Sequence, residues 1–276
     1  LKEMFGFSSK LLATSICNCI NGNILAVMLG RFYSVGNVGI YNQANKWTYM
    51  GSNLIQSTVL EVAQPVLRDV ADDRERHKRV FRKMLRFTSF LSFPALFGLA
   101  FVARELIVIT VTEKWIESVP LMQILCICAF TYPIQALCMN LVITKERSDL
   151  IFWNTLAFGA IQLAAVFFTY PYGIFTMVCI FGGINILWLG VWFFFVYCEI
   201  RLKLHEILFD MAPFAAIAAG AIFITSLATS WLSDIYLLFG LKIIITALVY
   251  TGIMWLSGSK TFRECAEFLL KKVKRN

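Results

Sequence analysis

Charge and histidine are both scarce in this sequence. Only 15% of its 276 residues are charged, where ordinary soluble chains carry about 25%. In contrast, 59% are apolar and the mean hydropathy is +0.71. That balance excludes a soluble globular fold, because too few polar residues remain for the outward faces. Two histidines leave almost no material for a His-based metal site. The sequence has no Gly-rich phosphate loop, no His-Glu-x-x-His pair and no Ser or Cys with a suitably spaced His. The usual signatures of nucleotide-driven pumps and of hydrolytic enzymes are therefore missing, and neither an enzyme nor a cofactor is expected. The apolar segments lack the alternating period of two that a membrane β-barrel requires. No secretory signal is visible, and Leu1-Lys2-Glu3-Met4 leads straight into an apolar run, so the sequence reads as the interior of a longer polypeptide.

What is present is a series of apolar segments that approach or exceed about 18 residues, the length that suits a membrane-crossing helix. They fall at Phe7 to Leu29, Tyr41 to Gln64, Phe87 to Ala103, Val119 to Ile143, Leu150 to Phe168, Gly173 to Tyr197, Phe209 to Thr229 and Ile235 to Leu256. The expected fold is an all-α polytopic membrane protein with about 8 transmembrane helices. Glu105 to Trp115 is too short to span; it is expected at the interface or as an extension of the third helix, with Trp115 as a headgroup-level anchor.

Basic residues test this assignment, since Lys and Arg near span ends collect on the cytoplasmic side. The second connection holds Arg68, Arg74, Arg76, Lys78, Arg79, Arg82, Lys83 and Arg86; the fourth holds Lys145 and Arg147; the sixth holds Arg201 and Lys203. The tail adds Lys260, Arg263, Lys271, Lys272, Lys274 and Arg275, whereas the intervening connections hold only Arg31 and Lys114. An even number of spans with both ends cytoplasmic fits this alternation, and it explains the net charge of +8 without a nucleic-acid partner. Apolar Val80, Phe81, Met84 and Leu85 among the charges make Arg68 to Arg86 read as an amphipathic helix on the inner surface. The tail from Lys260, with Phe262, Ala266, Leu269 and Val273, reads alike. The eight cysteines lie almost entirely within apolar runs and are read as small apolar fillers.

Polar residues inside a bilayer are expensive and face a cavity or another helix. At 100° per residue, Lys46, Asn53, Ser57 and Gln64 of the second segment fall within about 20° of one another, flanked by Asn42, Gln43, Gln56 and Glu61. Ala44, Ile55, Val59 and Val62 take the other side. Thr14, Ser15, Asn18 and Asn21 form a weaker stripe on the first segment, and two striped neighbours imply a hydrophilic cavity between them. Two readings of such amides stand side by side: a wet cavity, or helix-to-helix glue. Lys46 could equally reach the outer surface, and Glu61 could be solvated at the inner end. Arg31 is expected at the outer mouth of the cavity. Lys242, with no acid nearby in sequence, is expected to reach the outer interface close to Asp234.

The order of features resembles a known family. Gly30-Arg31-Phe32-Tyr33-Ser34 followed by Gly39-Ile40-Tyr41-Asn42-Gln43-Ala44, then Pro65-Val66-Leu67, Glu113-Lys114-Trp115, Val119-Pro120-Leu121, Tyr132-Pro133-Ile134 and Lys145-Glu146-Arg147-Ser148-Asp149-Leu150 are similar to bacterial polysaccharide exporters of the multidrug/oligosaccharidyl-lipid/polysaccharide flippase superfamily. The likeness covers about Phe5 to Leu150; beyond that only the span pattern agrees.

The resemblance implies a fourteen-helix fold of two six-helix lobes plus two extra helices. This chain would supply the second lobe over residues 1–198, the extra pair over 199–259 and a basic cytoplasmic tail over 260–276. It implies translocation of undecaprenyl-pyrophosphate-linked oligosaccharide across the bacterial cytoplasmic membrane, by alternating access, for surface polysaccharide such as O-antigen, capsule or exopolysaccharide. The implied partners are that lipid-linked oligosaccharide, membrane lipids, the missing first lobe, and the polysaccharide polymerase and export machinery. Many members carry Arg near the position of Gln43 and a basic residue near Glu61, whereas Lys46 supplies the cation here. A pyrophosphate in low dielectric needs cations and donors. Lys46 and Arg31 are accordingly expected to hold phosphate, with Asn18, Asn21, Gln43, Asn53, Ser57 and Glu61 completing the substrate path. The alternatives are a cation-coupled exporter of the same superfamily, which would favour an intramembrane acid and an aromatic pocket, and a membrane enzyme of glycan assembly, which would need catalytic residues in a large outer loop.

Overall fold

A computed structural model describes residues 2–70, 72–145 and 147–257. Among them are ten α-helices and no strand: α1 (Lys2–Phe32), α2 (Val35–Asp69), α3 (Arg74–Phe101), α4 (Ala103–Thr110), α5 (Ser118–Ala129), α6 (Thr131–Thr144), α7 (Ser148–Thr169), α8 (Ile174–Ile200), α9 (Leu204–Thr229) and α10 (Ile235–Leu256). Single 3-10 turns occupy Glu113–Trp115 and Tyr170–Tyr172. The expected basic tail lies outside the described residues.

Among the described residues, six stretches are both long and apolar enough to cross a membrane: Arg74–Phe101, Ser118–Thr144, Asp149–Tyr172, Ile174–Ile200, Leu204–Thr229 and Ile235–Leu256. These correspond to the third to eighth expected spans. The first two expected spans form helices of 31 and 35 residues, about 46 and 52 Å long at 1.5 Å per residue. Neither is among the six apolar stretches. Their Asn, Gln and Ser residues dilute the apolar content.

One expectation is corrected here. The basic segment Arg68 to Arg86 does not form a separate surface helix. Asp73 caps α3, its Oδ1 accepting from the N–H groups of Glu75 and Arg76 at 3.0 Å, and the helix then runs unbroken to Phe101. Phe81, Met84 and Leu85 enter the protein core, with Val80 packed against it, so the apolar stripe is covered by neighbouring helices. The Trp115 ring packs over Gly39, where an added Cβ would stand 3.4 Å from two ring carbons. The expected fourth span is divided at Phe130 into α5 and α6. Pro133 lies in the first turn of α6, where its missing N–H costs no helical bond.

The core has two parts. Near the basic end, Val59, Leu67, Phe81, Leu85, Leu137, Leu141, Val196 and Ile207 pack together. Toward the opposite end, Leu25, Leu29, Tyr41, Ala44, Ile107, Met122, Cys126 and Val178 form a second cluster. Seven cysteines among the described residues are free thiols, and buried Cys126 meets the Thr48 hydroxyl at 3.3 Å.

Candidate substrate path

Ser34 breaks the chain between α1 and α2 and caps α2, its Oγ accepting from the Asn37 N–H at 3.3 Å. The buried positions of α2 are Tyr41, Ala44, Thr48, Ser52, Ile55, Val59, Ala63 and Leu67. This spacing of three and four residues marks one packed seam, set against α3, α5 and α6. Lys46, Asn53, Ser57 and Glu61 occupy the opposite side and are exposed. The Lys46 ammonium stands 5.9 Å over the Trp47 ring. Gln43 is half-buried and Arg31, in the last turn of α1, is exposed.

Between the seam and that exposed face runs a third stripe, Asn45, Tyr49, Ser52 and Gln56, which borders a cavity of about 670 Å³. The other walls are Asn18, Cys19, Gly22 and Asn23 of α1, Tyr132, Gln135 and Met139 of α6, Thr155 of α7 and Trp192 of α8. Among the described residues, no Asp, Glu, Lys, Arg or His lines it. Several lining groups already have partners: Asn23 Nδ2 donates to the Cys19 carbonyl at 2.8 Å, Thr48 Oγ1 to Ala44 at 3.1 Å, and Gln135 Nε2 to Asn185 at 3.4 Å. Asn18, Asn45 and Gln56 make no hydrogen bond among the described residues. Their amides present donors and acceptors to whatever enters, with Trp192 and Tyr132 as aromatic walls. Such a lining suits a neutral, hydroxyl-rich group; it has nothing to neutralise a pyrophosphate.

The expected hydrophilic cavity between the first two helices is therefore present, but different residues line it. Of the eight expected path residues only Asn18 does so. Asn21 is committed to packing: its Nδ2 donates to the Thr155 carbonyl of α7 at 3.1 Å, and Gly159 leaves room for its amide. Lys46, Asn53, Ser57 and Glu61 share a face as expected, yet that face turns outward from the bundle. The physical reason is angular. Helix α1 approaches α2 one residue step, about 100°, round from Lys46, on the side of Asn45 and Ser52. A periodicity count locates a stripe without telling which neighbour covers it.

Lys242 also departs from expectation. Asp234 caps α10 by accepting from the N–H groups of Tyr236 and Leu237 at 2.9 Å, while Lys242 Nζ pairs with Glu105 Oε1 of α4 at 2.8 Å. At the basic end, Asp210 of α9 accepts from Arg82 Nε at 2.6 Å and Arg86 Nε at 2.8 Å, and Glu206 pairs with Lys78 at 3.0 Å. Sequence reasoning missed both networks.

The family described as polysaccharide biosynthesis protein matches residues 1–120. A membrane protein from the cps region of Klebsiella pneumoniae is 31% identical over 150 residues, covering 54% of this chain and 31% of that protein. The lipopolysaccharide biosynthesis protein WzxC of Escherichia coli (strain K12) is 29% identical over 146 residues, covering 53% and 30%. The teichuronic acid biosynthesis protein TuaB of Bacillus subtilis (strain 168) is 28% identical over 170 residues, covering 60% and 35%. The chain thus spans about a third of the length of the curated relatives it matches. A solved structure, the lipid II flippase MurJ in an inward closed conformation, superposes with a TM-score of 0.72 at 16% identity, over 96% of this chain and 55% of that one. Over residues 1–120 this multi-pass chain is thus similar in sequence to the polysaccharide biosynthesis protein family, and over nearly its whole length it shares the fold of that solved flippase structure.

Proposed function

We propose that the chain is the second lobe, with the added pair α9 and α10, of a flippase that carries lipid-linked oligosaccharide across the bacterial cytoplasmic membrane. The carrying observation is the adjacency of two unlike surfaces on α2: the uncharged amide and hydroxyl cavity, and the exposed face with Lys46, Asn53, Ser57 and Glu61. Sugar hydroxyls suit the first and pyrophosphate suits a cation on the second. In this reading the exposed face of α2 turns toward a preceding lobe, and Lys46 and Arg31 hold the pyrophosphate. Asn18, Asn45 and Gln56 bind sugar while the lipid tail stays in the bilayer. Both ends of the chain are cytoplasmic, as the basic residues at one end of the bundle favour. The names of the relatives, which concern lipopolysaccharide and teichuronic acid biosynthesis, support a polysaccharide precursor and a transporter rather than an enzyme. A cation-coupled exporter is less well supported, because no carboxylate lines the cavity.

The test is surface glycan in the host bacterium, scored against protein level in the membrane. Lys46→Ala, and separately Asn45→Ala with Gln56→Ala, should each lower surface glycan and accumulate lipid-linked precursor while the protein level holds. Normal glycan from both variants would remove α2 from the path.

A further inference from the structure

Pro94 lies inside α3 and has no N–H to give to the carbonyl of residue 90, the acceptor one helical turn earlier. The donor that reaches the Phe90 carbonyl comes from another helix: Tyr250 Oη of α10, at 3.0 Å. Tyr250 is only 4% exposed, and its ring lies 5.8 Å from that of Phe90. About 12 Å along α10 toward its start, Lys242 Nζ pairs with Glu105 and approaches the Phe101 carbonyl at 3.5 Å. Phe101 is the last residue of α3, where the break before α4 ends the helical ladder. Between these two points α3 and α10 are parted by an apolar groove of about 480 Å³ lined by Pro94, Gly98, Thr246 and Ala247 among others. Helix α10 therefore meets α3 where the hydrogen-bond ladder of α3 lacks a donor: at the proline and at its end.

The segment so held packs against the back of α2, the side turned away from the proposed path. A Cβ added to Gly51, midway along α2, would stand 2.9 Å from Leu99 Cδ2 and 3.6 Å from Leu96 Cδ2. Both leucines lie just beyond Pro94. Gly51 lies on the side of α2 nearly opposite Lys46 and Asn53, so the placement of α3 beyond its proline bears on the rotation and height of the polar face from behind.

We propose that α10 braces the half of α3 beyond Pro94 through Tyr250 and Lys242, and that this brace sets the position of the polar face of α2. Tyr250 is thus a positioning residue that acts through α3. The added helix pair is part of the transport machinery through α3, whatever the ligand is.

The test is a double-mutant cycle on the membrane-embedded protein, read by amide hydrogen exchange in lipid nanodiscs. Tyr250→Phe keeps the ring and removes the donor; Pro94→Ala restores a donor to the Phe90 carbonyl from within α3. In the parent, Tyr250→Phe should raise exchange about threefold or more over residues 91–101, the scale of one hydrogen bond between membrane helices. A smaller rise should appear over residues 46–57, and none over α7. With Pro94→Ala present, the same Tyr250→Phe change should have almost no effect, because the bond it removes is no longer needed. Equal rises in both backgrounds overturn the proposal, as does unchanged exchange over residues 91–101. A rise confined to α10, or one shared by α7, overturns it too, since the effect would then be local fraying or general loss of fold.

Discussion

Lys242 and Glu105 are 137 residues apart in sequence, yet their charged atoms meet at 2.8 Å. Their side chains are only 14% and 5% exposed. Glu105 Oε2 is buried with no partner among the described residues, so the pair is incompletely satisfied and Lys242 alone offsets its charge. Removing one member of a buried pair strands the other and costs about 3–5 kcal/mol, whereas replacing both with apolar residues of similar volume is often neutral. Lys242→Met is therefore expected to lower the thermal midpoint of the solubilised protein markedly. Adding Glu105→Leu should restore most of the loss, against simple additivity of the two changes.

The ion network at the other end of α9 behaves differently because it is wetter. Asp210 is 6% exposed and takes both arginines, whereas the Glu206 and Lys78 side chains are each 22% exposed. Glu206→Gln should cost about 1 kcal/mol or less, and that loss should shrink in high salt. Asp210→Asn should cost more and respond less to salt, since it leaves two guanidinium groups facing an amide. Thermal unfolding at low and high ionic strength separates the two variants.

These networks mark the boundary of what sequence alone conveys. The apolar runs from Phe87 onward announced six crossing segments because hydropathy is a local property of about 20 residues. The exposed stripe from Lys46 to Glu61 was legible as well, since residues 46, 53, 57 and 61 share a face by helix geometry alone. What covers a face depends on a neighbour far away in sequence. The amides of Asn45 and Gln56 gained a cavity because α1 packs chiefly on α7 and only lightly on α2, and the Asn21 amide turns away from that cavity because Gly159 and Thr155 receive it. Nothing within α10 foretold that Glu105 would answer Lys242. The division of the fourth span at Phe130 was missed although Pro133 stood nearby, because a proline early in a helix and one that interrupts a helix look alike until the break is seen.

Filling the cavity tests its role without touching a charge. Ser52 is buried on the cavity wall, its Oγ donating only to the Tyr49 carbonyl one turn back at 3.2 Å. Ser52→Ala should leave stability within about 0.5 kcal/mol, as small changes away from a network do. Ser52→Leu projects extra methylenes into the space among Asn18, Gln56 and Trp192. Surface glycan should fall in the leucine variant and hold in the alanine variant at equal protein level. Equal glycan in both would mean that nothing of the substrate enters this cavity.

The last prediction concerns the close approach of α1 and α7. A Cβ at Gly159 would collide with the Asn21 amide, which holds the Thr155 carbonyl at 3.1 Å. Small residues let membrane helices approach closely enough for such a bond. Gly159→Ala must displace the amide and lose the bond, an expected loss of about 1–3 kcal/mol from overpacking, even though alanine favours helix more than glycine. Asn21→Ala removes the obstructing group and forfeits only the hydrogen bond, about 0.6 kcal/mol on average between membrane helices. In the double variant Gly159→Ala with Asn21→Ala, the methyl at 159 meets space vacated by the amide, so the double should be more stable than Gly159→Ala alone. Thermal unfolding of the four proteins checks the order, and a double variant less stable than either single would show that α1 and α7 are held together by something other than this contact.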